Sequence, residues 1–189
     1  MNLVEPIRDL NKIEEMKKVL LEQGKGKRNN ILWKVGINIG MRVSDLIRLK
    51  VSDIRYENGN MRDDITIIEK KTNKKKIFRF NIELKNELDN YTKNMKQFEY
   101  VFQSRNGVNQ PLTRVQVYRF INDASKIVGI SDSVGTHTMR KTFGYHHYKK
   151  YGDVAMLQTI FNHSSPSITL RYIGISQDEI NNMYEDFVL

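Results

Sequence analysis

Two stretches decide how this chain reads: His137-Thr138-Met139-Arg140, and Asn162-His163-Ser164-Ser165-Pro166 running on to Thr169-Leu170-Arg171-Tyr172. On a helix, positions three apart share a face, so His137 and Arg140 present an imidazole and a guanidinium together. Arginine grips phosphate oxygens through a fork of donors, and histidine moves a proton near neutral pH. Ser165-Pro166 is a helix-start signal, an N-cap followed by proline in the first turn. Tyr172 then closes the stretch. A phenol titrates near pH ~10, so a tyrosine nucleophile needs charge neutralisation and a proton acceptor beside it. Taken singly, the first stretch reads equally well as a surface amphipathic helix, and each piece of the second reads better as a loop, a helix start or a half-buried tyrosine.

Moving outward, Gly40-Met41-Arg42-Val43-Ser44-Asp45-Leu46 places an arginine at a helix start just after a glycine, with the helix reaching Leu49. Before it, Leu32, Val35, Gly36 and Ile39 keep one stripe while Ile31, Trp33 and Ile37 add apolar surface, which predicts a buried central helix over residues 28–39. Leu10, Ile13, Met16 and Leu20 predict another, and Gly24-Lys25-Gly26-Lys27 breaks between them. In the middle, Ile65 and Ile67, then Ile77, Phe78 and Phe80, flank Lys70-Lys71-Thr72-Asn73-Lys74-Lys75-Lys76. That reads as a hairpin with a basic tip. A third strand is expected near Val51 to Tyr56. Helical patterning returns over 82–95, over 113–128, over 136–151 up to Gly152, and through Val154, Leu157 and Phe161. Ser176 and Glu179 form a capping-box pattern ahead of Ile180, Met183, Tyr184 and Phe187, a last amphipathic helix. The fold class is therefore mainly α with a small antiparallel β-sheet (α+β), in one domain spanning 1–189.

Lysine and arginine number 31 against 22 acidic residues in 189, a formal net charge of +9. The pI is near 9.6. Such a surplus favours polyanions, chiefly nucleic acid, through counterion release. There is no cysteine, which excludes disulfides and zinc–thiolate sites. No run is long and apolar enough for a signal peptide or a membrane span, so the expectation is a soluble, cytoplasmic protein.

In order along the chain stand Arg42 in Gly-x-Arg-x-Ser-Asp-Leu, Lys71 on a hairpin, His137-x-x-Arg140, His163 before Ser-Ser-Pro, and Tyr172 in Thr-Leu-Arg-Tyr. That order and spacing resemble the catalytic domain of the tyrosine recombinases, the phage integrase family, over about residues 4–187. The resemblance implies site-specific DNA cleavage and rejoining through a 3′-phosphotyrosine, with neither metal nor cofactor. It implies Arg42 and Arg140 as phosphate clamps, His163 as a further phosphate hydrogen bond, and Tyr172 as the nucleophile. His137 becomes the proton acceptor, Lys71 the acid for the leaving 5′-oxygen, and Asp45 a support for Arg42 or His137. Double-stranded DNA is the implied partner, with a homo-oligomer, a tetramer, on DNA and a monomer when free. The family usually carries a helical core-binding domain ahead of the catalytic one, and the expectation here is the catalytic domain without it. Where the family has glycine before the matched histidine, this chain has Asn162, which tolerates a left-handed backbone. Gly174 just beyond Tyr172 suggests that the tyrosine sits out of line without DNA.

The rival readings are a type IB topoisomerase-like strand transferase and a non-catalytic DNA-binding remnant. A metal-dependent hydrolase using His146 and His147 is disfavoured, because adjacent histidines point to different helix faces.

Overall fold

The computed structural model describes residues 4–68 and 75–175. Lys71 and the amphipathic segment from Ser176 onward lie outside the described residues. Helix α1 (Leu10–Glu22) starts at Asp9, whose side chain accepts from the Asn11 amide, and buries Ile13, Met16 and Leu20. It packs along α2 (Gly26–Ile39), the central helix. Trp33 and Leu32 on α2 are fully buried, as the apolar density of this helix predicts. Gly40 ends it in the left-handed conformation, φ 62°. A Cβ at that position would lie 2.3 Å from the Phe143 ring, so glycine is required both by backbone sterics and by space.

Two one-turn helices follow, α3 (Val43–Leu46) and α4 (Val51–Ile54). The second replaces the expected third strand. Val51 and Ile54 are β-branched, yet three residues apart they also form one face of a helical turn, and both are buried. Strands β1 (Asp64–Ile68) and β2 (Lys75–Arg79) pair antiparallel, with Ile65 opposite Phe78 and Ile67 opposite Lys76. Ile65 and Phe78 point into the core. Helix α5 (Ile82–Thr92) starts at Asn81 and lies against α2, while α6 (Arg114–Ile127) starts at a Thr113–Gln116 capping box and lies against α1.

The last three described helices are α7 (Thr138–Tyr151), α8 (Val154–Phe161) and α9 (Pro166–Tyr172). Helix α7 crosses α2, the two joined by Met139 against Gly36. Ser165 caps α9 with Pro166 in its first turn, and Asn162 leaves α8 left-handed at φ 54°. The described residues form two apolar clusters, a large one around α2 and a small one of Tyr145, Leu157, Phe161, Ile173 and Ile175. Tyr172 packs on the small one. Among the described residues no helix is long and apolar enough to cross a membrane.

Candidate active site

Arg140 is the keystone. It is only 3% exposed, a cost that a guanidinium tolerates only when its donors are used. Nη1 donates to the Gly40 carbonyl at 2.6 Å and Nη2 to the Phe161 carbonyl at 3.1 Å. Its guanidinium also lies 4.4 Å from the centre of the Phe161 ring. Gly40 follows α2 and stands two residues before Arg42; Phe161 ends α8 and stands two residues before His163. One side chain on α7 thus joins the segments bearing the other two.

Arg42 occupies the N-cap position of α3, its carbonyl accepting from the Asp45 and Leu46 amides. Asp45 is buried one turn on. His163 sits beyond the left-handed Asn162 with Nδ1 3.1 Å from Thr169 Oγ1, and Thr169 Oγ1 in turn donates to the Ser165 carbonyl. Burial first, then the charges of Arg140, Arg42 and Lys76, push the His163 imidazole down to about 4. It is neutral at physiological pH for that reason.

The Tyr172 hydroxyl lies 3.2 Å from His137 Nδ1. His137 occupies the N-cap position of α7, one turn before Arg140. The Tyr172 ring meets His163 edge-on at 4.9 Å and Phe161 at 5.4 Å. Gly144 makes room for this packing: a Cβ there would come within 2.7 Å of both Ile173 and Phe161. Burial raises the Tyr172 phenol above its ordinary value, while the charges of Arg140 and Arg42 and a hydrogen bond with Arg140 pull it down. The phenol is therefore protonated at neutral pH and needs an acceptor to attack anything.

Five of the residues singled out from sequence, Arg42, His137, Arg140, His163 and Tyr172, thus come together from four separate segments. The structure places Tyr172 within the site rather than out of line: its ring packs on the small apolar cluster beside Ile173. Thr169, three residues before Tyr172, is a site residue that sequence reasoning misses. Its only signal was a hydroxyl at a helical position that proves fully buried. Lys76 also enters the neighbourhood, its Nζ donating to the Ile160 carbonyl. His146 and His147 diverge, the first bonding the Ile7 carbonyl and the second lying against Phe143 and Tyr151.

Comparison with known proteins decides what this arrangement belongs to. The model of the phage integrase family matches residues 8–179. The chain belongs to the phage integrase family. It is 44% identical over 187 residues to the probable integrase/recombinase YoeC of Bacillus subtilis, covering 99% of this chain and 98% of that protein. It is 25% identical to the tyrosine recombinase XerD of Staphylococcus haemolyticus, covering 95% of this chain but 62% of that protein. The fold of this integrase-family chain superposes on the XerA recombinase with a TM-score of 0.74 at 22% identity, covering 96% of this chain and 65% of that one. As a tyrosine recombinase, the chain is a DNA breaking-and-rejoining enzyme.

Proposed function

We propose that this recombinase cuts and rejoins double-stranded DNA at a defined site through Tyr172. The observation that carries the reading is the Tyr172 hydroxyl resting 3.2 Å from His137 Nδ1 beside Arg42, Arg140 and His163. Arg42 and Arg140 bind the non-bridging oxygens of the scissile phosphate and stabilise the charge of the pentacoordinate transition state. His163, neutral before DNA arrives, donates from Nε2 once Thr169 turns its hydroxyl to Nδ1. Tyr172 Oη forms a bond to phosphorus as its proton passes to His137, and the bond from phosphorus to the 5′-oxygen breaks. Lys71 protonates that oxygen. The 3′-phosphotyrosine retains the energy of the phosphodiester, so a 5′-hydroxyl from the same or another strand reverses the step. Asp45, buried one turn after Arg42, orients that guanidinium or His137. The protein works in the cytoplasm as a catalytic domain, assembling as a tetramer on paired sites.

The test is a pool of nicked suicide duplexes drawn from DNA flanking the coding sequence. Incubation yields a covalent protein–DNA adduct that maps to Tyr172 and disappears in Tyr172→Phe. An adduct on another residue, or none from any duplex, refutes the assignment. Relaxation of any supercoiled plasmid, without exchange between two defined sites, would turn the reading towards a topoisomerase.

A further inference from the structure

Lys141 follows Arg140 on α7 and is 6% exposed. Lysine is almost never buried without a partner, because its ammonium gives up strong hydration. Among the described residues no acceptor hydrogen-bonds Lys141 Nζ. That nitrogen lies instead 5.3 Å from the centre of the Tyr172 ring. Burial lowers its affinity for a proton, the Glu5 carboxylate raises it, and Arg8 lowers it again.

The segment that brings Glu5 there is tied down along its length. Glu5 N donates to the Ser133 carbonyl at 3.1 Å. Ile7 N donates to Thr142 Oγ1 at 2.9 Å, and the Ile7 carbonyl meets His146 Nε2 at 2.9 Å. Arg8 Nη2 pairs with Glu5 Oε2 at 3.2 Å and donates to the Gly174 carbonyl at 3.0 Å. Gly174 has φ 79°, and a Cβ there would lie 2.8 Å from Arg8 Nη2. Residues 5–8 therefore form a strap over α7. It supplies the Glu5 carboxylate, whose charge opposes the effect of burial on Lys141, and it grips the turn directly after Tyr172.

We propose that Lys141 is a further functional cation of this site, stabilising the negative charge that Tyr172 Oη carries as it attacks and as it leaves. The inference rests on the assignment of Tyr172 as nucleophile. In cutting, Oη gains charge as its proton moves to His137 and gives it up as its bond to phosphorus forms. In rejoining, that bond breaks and its electron pair stays on Oη until the proton returns. A cation against the ring lowers the energy of both moments. Lys141 acts at the nucleophile end of the reaction, opposite the 5′-oxygen.

The test uses the full chain, the suicide duplex that reports the Tyr172 adduct, and a second duplex with sulfur in place of the bridging 5′-oxygen. A thiolate leaves without being protonated. Lys141→Gln slows adduct formation about 30-fold, the scale of a desolvated cation–π contact, while duplex affinity stays within about threefold. Lys141→Arg restores most of the rate. The sulfur duplex leaves the Lys141→Gln defect in place but removes that of Lys71→Ala. Should the glutamine variant not fold, Lys141→Met, which keeps the buried stem, carries the same comparison. Titration of ¹³C-labelled tyrosine, with the Tyr172 signal assigned by Tyr172→Phe, reads the contact without DNA. The phenol faces His137, Arg140 and Lys141 on α7, Arg42 and His163, with Glu5 and Arg8 behind Lys141. Its midpoint rises by about one pH unit when the ammonium is removed. An unchanged rate, or rescue of Lys141→Gln by sulfur, overturns the inference and leaves the Tyr172 assignment standing. Failure of the wild type to form any adduct sinks that assignment instead. The titration then decides the Lys141 contact by itself, an unmoved midpoint overturning it.

Discussion

Acid removes stability from this protein through His163. The imidazole is held down to about 4 from 6.5, by burial first and then by Arg140, Arg42 and Lys76. In the unfolded chain those influences vanish. Between about pH 6.5 and 4 the unfolded state therefore binds a proton that the folded state does not, and stability rises with pH across that window. The contribution is fully present above about 6.5 and is lost as pH falls through about 4. A drop from 6.5 to about 4, at about 1.4 kcal/mol per pH unit, sets an unscreened ceiling of about 3.5 kcal/mol. The ring is partly solvated, and screening reduces this to about 1–2 kcal/mol. For a chain of this length that is about 2–8 °C in Tm. The assay is calorimetric melting of wild type and His163→Gln at pH 7 and pH 4.5. Burial lowers His147 as well, so only the difference between the two proteins isolates His163. The wild type should lose about 1–2 kcal/mol more than the variant on acidification. Equal losses would refute the reasoning, because they would mean that neither burial nor the neighbouring cations hold the ring neutral.

Three further outcomes follow from the same geometry. Gly40→Ala forces a left-handed alanine into the Phe143 ring and should cost about 2–4 kcal/mol in a urea melt. Thr169→Val keeps the buried volume but strips His163 Nδ1 of its partner. It should cost about 1–3 kcal/mol in the same melt and slow adduct formation on a suicide duplex about tenfold. Arg140→Lys cannot span the Gly40 and Phe161 carbonyls at once, and single-turnover cleavage should fall about 10²–10³-fold; a loss under threefold would contradict the keystone role.

What could be read from the sequence was what is local. The cap at Ser165, the stop at Gly40 and the stripe of α2 depend on neighbours within a turn or two, so the pattern carries them. Arg42, His137, Arg140, His163 and Tyr172 were legible for another reason: their chemistry is scarce and their order matches a family. Val51 to Tyr56 was misread because its structure is set from far away. Val51 N donates to the Glu99 carbonyl, and Val101 N to that of Leu49. These bonds, with the Lys50–Tyr100 bridge, pin the segment as a turn of helix where β-branched residues alone suggested a strand. Thr169 and Lys141 escaped notice because their meaning lies in what they touch. The hydroxyl matters once Asn162 turns His163 back onto it, and the lysine reads as surface until the strap covers it.

The same contrast explains how a site drawn from distant segments can be preformed. A guanidinium has five donors. Arg140 places one on the carbonyl after α2 and another on the last carbonyl of α8, the ends where helix carbonyls carry partial negative charge. Those anchors fix the backbone two residues before Arg42 and two residues before His163, leaving the rest of the fork for Tyr172 and the phosphate. The aromatic contacts of Phe161 then couple this anchor to the Tyr172 ring. Collecting the cations costs Coulomb repulsion, and the folded protein relieves part of it by keeping His163 neutral. A bound phosphate reverses that balance, since its negative charge favours the protonated ring and offsets the arginines. DNA binding should therefore raise the affinity of His163 for a proton while lowering the energy of the whole cluster. On this reasoning the repulsion among the gathered cations is what a bound phosphate offsets, at the place where Tyr172 packs against His163 and His137.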